Sequence, residues 1–145
     1  MGNTKSSEEL LEILKSASSF EQGRNELKEY QITESLSETL NALVCKKKVR
    51  LADVMIRSGL KKAYFYSLFS GTRDNPSRDV LIQLAFGFEL TLDEVQELLR
   101  NRGAAQLYPR IPRDGVIIYC FQRRMPLMDC DELLMESGEQ LLTKE

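Results

Sequence analysis

The chain has 145 residues, enough for one domain of ordinary size or for a core with one extension. Hydrophobic residues make up 42% and charged residues 29%, an ordinary globular balance, and no apolar run approaches the ~18–20 residues of a membrane-spanning helix. Histidine is absent, which removes Ser-His and Cys-His nucleophile systems, histidine bases and mixed Cys/His zinc sites, and neither a G-x-x-x-x-G-K-[ST] nor a G-x-G-x-x-G phosphate cradle occurs. The expectation is a protein that is not an enzyme and uses no cofactor or metal.

Residues 1–34 read as an acidic helical leader. The start, MGNTKSSEEL, lacks the apolar stretch of a secretory signal. It matches the M-G-x-x-x-S acylation pattern, but Ser6-Ser7-Glu8-Glu9 also reads as a capping box, the stronger reading, opening a helix over residues 8–16. Leu10, Leu11, Ile13 and Leu14 would share one side of it, and residues 20–30 allow a second helix. Ser35-Leu36-Ser37-Glu38 is another capping box, ahead of a helix with Leu36, Leu40, Leu43 and Val44 on one face.

A short helix follows, with Val49, Val54 and Met55 at buried spacing and Gly59 as its left-handed stop. Leu60 bridges to a helix over about residues 61–70. Phe65, Leu68 and Phe69 would point inward, and Ala63, Ser67 and Ser70 outward, flanked by Lys62, Tyr64 and Tyr66. Gly71 closes it, Asn75-Pro76 marks a turn, and Ser77 caps a helix over residues 78–88. Thr91-Leu92-Asp93-Glu94 is a third capping box, opening a helix to about residue 102.

Charge is distributed unevenly. Residues 46–78 carry nine basic side chains, Lys46, Lys47, Lys48, Arg50, Arg57, Lys61, Lys62, Arg73 and Arg78, against Asp53 and Asp74, a local +7 in a chain of net −2. Such a window suits a phosphate backbone, although lysines at 46–48 also suit a solvated helix end.

The last third repeats the fourth and fifth of these core helices at an offset of 35. Arg78-Asp79 returns as Arg113-Asp114, Ile82 as Ile117, Phe86 as Phe121 and Leu92 as Leu127. Glu97-Leu98-Leu99 returns as Glu132-Leu133-Leu134, Gly103 as Gly138 and Leu107 as Leu142. The repeat predicts a duplicated helix pair, and it favours helix over strand for residues 116–120. Val116, Ile117, Tyr119, Cys120 and Phe121 would form one apolar face and Leu127, Leu133 and Leu134 its partner, after a connector stiffened by Pro109 and Pro112. Each repeated Asp would complement the dipole of its helix and each Arg would pair locally; the competing reading gives Arg78 to a phosphate. The cysteines, Cys45, Cys120 and Cys130, are odd in number, form no C-x-x-C and lie in helical patterns. Buried reduced thiols are expected, and with them a cytoplasmic setting.

Five short helices, Gly59-Leu60 between the second and third, and Phe69-Ser70-Gly71-Thr72-Arg73 with Asn75-Pro76-Ser77 after the third resemble the repressor/Cro-type (XRE) helix-turn-helix family over residues 36–100. Residues 64–71 and 76–79, with Leu107-Tyr108-Pro109-Arg110 and Arg113-Asp114, are similar to a bacterial group of such proteins with a duplicated C-terminal helix pair, over nearly the whole chain. The implied fold is all-α: a leader (1–34), a helix-turn-helix domain (35–107) and an extra C-terminal helix pair (108–145). The implied function is a DNA-binding transcriptional regulator whose recognition helix spans about residues 61–70. Lys62, Ala63, Tyr66 and Ser67 would face base edges of double-stranded DNA, and Lys47, Lys48, Arg50, Lys61, Ser70, Thr72 and Arg73 its phosphates. A homodimer through the C-terminal helices is the geometric expectation of the class. The sequence departs from the family at Met55, where a small alanine is usual, and at Leu51-Ala52, where polar residues are usual. The outward stripe of the recognition helix also lacks the Gln, Asn or Arg best suited to base reading. These departures favour the alternative, a protein-interaction or signalling adaptor on the same scaffold.

Overall fold

A computed structural model describes residues 7–16 and 34–143. The chain divides into two units, Met1–Thr33 and Glu34–Glu145. In the first, helix α1 spans Ser7–Ser16, with Leu11 exposed and Ile13 half-buried. The expected capping role of Ser6, the side chains of Leu10 and Leu14, and the helix expected at residues 20–30 lie outside the described residues.

The second unit is all-helical among the described residues: α2 (Leu36–Lys47), α3 (Leu51–Ser58), α4 (Lys62–Ser70), α5 (Arg78–Phe88), α6 (Leu92–Asn101), α7 (Pro112–Gln122) and α8 (Leu127–Glu136). Its ends are set by short-range chemistry. Ser35 and Glu38 exchange hydrogen bonds, Glu38 N donating to Ser35 Oγ (3.2 Å) and Ser35 N to Glu38 Oε1 (2.8 Å). Thr91 and Glu94 repeat the device, so two orphan amides are satisfied at each helix start. Ser77 Oγ accepts from Val80 N at the start of α5. Gly59 and Gly71 end α3 and α4 at φ 70° and 88°, a region where a Cβ is penalised. The run Val116–Cys120 is helical, as the repeat favours.

One hydrophobic core runs through this unit. α2 packs on α4, and α3 packs chiefly on α5. Leu40, Val54, Phe65, Leu68, Ile82, Leu84 and Leu99 are fully buried, together with Ile117, Cys120, Cys130 and Leu134 from the second pair. The α3–α5 approach depends on Gly87: a Cβ there would lie 2.6 Å from the Val54 carbonyl oxygen. Gln83 Nε2 donates to Ser58 O (3.0 Å) and Arg57 Nε to Gly87 O (2.9 Å), closing the polar groups of that seam. Among the described residues, every buried side-chain polar atom has a hydrogen-bond partner.

The repeat at offset 35 is a structural two-fold. Arg78 donates to Asp114 through Nη1 (3.1 Å) and Nη2 (2.8 Å), and Arg113 donates to Asp79 through both Nη atoms at 3.0 Å. Because 78 and 79 correspond to 113 and 114, each pair is the mate of the other, and such reciprocity requires a two-fold relation between α5–α6 and α7–α8. The remaining donors follow the same rule. Arg78 Nε reaches Ala105 O as Arg113 Nε reaches Gln140 O, and Leu107 N donates to Gln96 Oε1 as Leu142 N does to Asp131 Oδ1. Glu89 and Arg124 are both left-handed at φ 55°. Phe86 and Phe121, equivalent to each other, stack with centroids 4.1 Å apart. The arginines therefore pair across the copies and not locally: a bidentate fork meets a carboxylate brought in by tertiary packing.

Two further expectations are corrected. Cys45 is exposed, whereas Cys120 and Cys130 are buried. Tyr119 does not join the apolar face of α7; it points outward, because the face toward the first copy is filled by Ile117, Cys120 and Phe121.

Candidate nucleic-acid interface

The basic window maps onto α2 to α4 and the loop beyond. α4 is driven onto the core by Phe65, Leu68 and Phe69, with Phe65 and Phe69 in ring contact at 4.7 Å. Ala63, Tyr66 and Ser70, turned away from that stripe, are exposed, as are Lys61 and Lys62 at the helix start. A three-residue turn, Gly59-Leu60-Lys61, separates α4 from α3 and fixes its start, with Ser58 Oγ accepting from Leu60 N (3.3 Å). The N-cap of α4 is Lys61, whose side chain makes no capping hydrogen bond.

The candidate residues differ in availability. Lys48, in left-handed conformation at the end of α2, is exposed, as are Lys61, Lys62, Thr72 and Arg73, and none of these four cations forms an ion pair among the described residues. Lys47 is half-buried and donates to both carboxylate oxygens of Glu94 (2.9 and 2.8 Å). Burial works to raise the Glu94 pKa, but the bonds from Lys47 and from Thr91 outweigh it, and the carboxyl lies below its ordinary value. Arg50 is exposed and pairs with Asp53 at 3.2 Å. Ser67 is half-buried, and its Oγ donates to Tyr64 O at 2.6 Å. Ser70 Oγ donates to Ser67 O (3.2 Å) and lies 3.0 Å from Thr72 Oγ1. The Arg73 guanidinium sits over the Tyr64 ring at 5.7 Å. Arg57 and Arg78 are turned inward, the first to Gly87 O and the second to Asp114.

The geometry thus leaves Lys62, Ala63 and Tyr66 exposed on α4 and Lys61 exposed at its N-cap, with the serines hydrogen-bonded along the same helix. Sequence reasoning did not separate Lys47 from its neighbours. The missing signal was Glu94: a capping-box carboxylate gave no hint that it also receives a lysine 47 residues away. Beside α3, Ala52 and Ile56 are exposed, Ile56 at 71%, while Leu51 and Met55 pack partly against the core. The chain matches no protein-family model, no curated protein sequence and no solved structure. No group of His, Cys, Asp or Glu suited to a metal ion occurs among the described residues, and none of their helices is long and apolar enough to cross a membrane.

Proposed function

We propose that this chain is a DNA-binding regulator in which α3 and α4 act as a helix-turn-helix and α4 enters the major groove. The observation that supports it is that Lys62, Ala63 and Tyr66 on α4, and Lys61 at its N-cap, are exposed, with neither lysine in an ion pair among the described residues, while Phe65, Leu68 and Phe69 anchor the helix to the core. A helix fits the major groove, where Lys62 can donate to guanine and Ala63 can touch a thymine methyl group. Tyr66 supplies a hydroxyl and a ring edge, and Ser67 contributes acceptor lone pairs because its proton is held by Tyr64 O. Lys48, Arg50, Lys61, Ser70, Thr72 and Arg73 hold phosphates and set register. Lys47 is left out of this set because Glu94 holds its ammonium group.

In this reading one chain engages one half-site. Fluorescence anisotropy against pooled duplex DNA across a salt series tests it. Four or five neutralised phosphates give a log–log salt slope of roughly −4. Lys62→Ala is expected to weaken binding about tenfold, consistent with one lost base contact of ~1–3 kcal/mol. A flat salt response, or no binding at low salt, rejects the reading. A second reading, an interaction module without specific DNA binding, is favoured by the exposed Ile56 on α3 and by the absence of Gln, Asn or Arg on the outward face of α4.

A further inference from the structure

The two helix pairs are related by a two-fold, but α2–α4 have no mate among the described residues, so equivalent faces of α5 and α7 meet unlike surroundings there. On α5 the ridge Val80, Leu84 and Phe88, with Gln83 and Gly87 beside it, carries α3. Leu84 and Phe88 are buried, Gln83 holds Ser58 O, Gly87 abuts Val54, and the Phe69 ring lies 6.2 Å from that of Phe88. The equivalent ridge on α7 is Gly115, Tyr119 and Arg123, with Ile118 and Gln122 beside it. No described element covers that ridge. Tyr119 is 44% exposed, and Ile111 and Tyr108, at its head, are 48% and 51% exposed. The seat continues to the edge: the Gly59 end of α3 lies against Leu127 and Thr143, whose mates on the open side are Leu92 and Tyr108.

We propose that this open face of α7 is a docking site for one acidic amphipathic helix of a partner protein, seated on Tyr108, Ile111, Ile118 and Tyr119. The equivalent face of the first copy accepts a helix, but Gln122 stands where Gly87 admits the α3 backbone, so a helix on α7 rests on side chains at a wider spacing than α3 on α5. The side chains differ as an intermittent interface requires. Where the first copy has Leu84 and Phe88, permanently buried, the second has Tyr119 and Arg123, residues that tolerate water and are enriched at binding hot spots. Charge selects the partner. Arg110 and Arg123 are exposed and form no ion pair among the described residues, and the Arg123 guanidinium is held 3.8 Å over the Tyr119 ring, pre-placed for a carboxylate. The proposal is independent of DNA binding, because α7 carries none of the residues assigned to DNA.

The test uses the full chain, isotopically labelled, and two synthetic helical peptides of about four turns, both with a leucine face and one with glutamates and the other with lysines on the opposite face. The acidic peptide is expected to shift the amide resonances of Ile111, Gly115, Ile118 and Tyr119. The variant carrying Tyr119→Ser and Arg123→Glu is expected to bind it about tenfold more weakly, with core resonances unchanged because both side chains are outside the core. Shifts confined to residues 46–73, equal binding of the lysine peptide, or no shift at ~1 mM peptide would overturn the proposal. So would self-association through these residues in the free protein, which assigns the face to a second copy, or their protection in the free chain, which assigns it to residues 1–33.

Discussion

Asp114 is the residue on which the second helix pair turns. Its side chain is 2% exposed and accepts from both Nη atoms of Arg78 and from Tyr108 N (3.0 Å). Removing the arginine leaves a buried carboxylate facing one amide, the situation in which a broken ion pair costs most. Arg78→Ala is expected to lower the unfolding free energy by about 3–5 kcal/mol in urea titrations. Arg113→Ala should cost less, because Asp79, whose side chain is 14% exposed against 2% for Asp114, retains more contact with water. Glu94 gives a pH signature. Its folded pKa is depressed, so its contribution is fully present above the ordinary value of 4.5 and is lost as the pH falls from there through the lower folded value. The advantage of the native chain over Glu94→Gln, measured by chemical denaturation, should therefore be constant above pH 4.5 and shrink below it.

At the scale of elements, α5 packs against α2, α3 and α6, and Gly87 is the position that permits the close approach of α3. In an isolated helix Gly→Ala would stabilise by roughly 1 kcal/mol. Here the new methyl meets the Val54 carbonyl oxygen at 2.6 Å, Val54 Cγ1 at 3.0 Å and Ser58 Cβ at 3.1 Å, so α3 must move. Gly87→Ala is expected to destabilise by about 1–3 kcal/mol, with a lowered midpoint in thermal unfolding. The α7–α8 seam has its own reporter. Burial raises the thiol pKa of both Cys120 and Cys130, keeping them protonated, whereas Cys45 lies exposed on α2. A disulfide reagent should titrate Cys45 rapidly and alone in the native protein, and all three thiols only after unfolding.

At the scale of the molecule, the unit from residue 34 onward has one continuous core that crosses from the α2–α6 helices to the α7–α8 pair. The crossing is made by Phe86 against Phe121 and by the two reciprocal arginine–aspartate forks. A core shared in this way gives a single cooperative transition. Far-ultraviolet circular dichroism and tyrosine fluorescence should report the same midpoint for residues 34–145, and two separated transitions would mean that the second pair is an independent appendage.

The helices themselves were legible in the sequence, for a local reason. Caps, left-handed glycines and apolar periodicity act within four residues, so Ser35, Ser77, Thr91, Gly59 and Gly71 announced their ends and Phe65, Leu68 and Phe69 the inward side of α4. The repeat was legible as well, because a copy keeps its turn and core residues. What the sequence could not determine was which side of each copy would meet the other. That depends on contacts between residues 34 and 36 apart, so the same Arg-Asp dipeptide that reads as a local pair became a reciprocal bridge between copies, and Tyr119, apolar by pattern, was left outside. For the candidate interface the division is similar. Local charge marked residues 46–78, but only tertiary packing decided that Lys47 belongs to Glu94, Arg57 to Gly87 and Arg78 to Asp114. A side chain's electrostatic partner is chosen by proximity in space, and a sequence records only proximity along the chain.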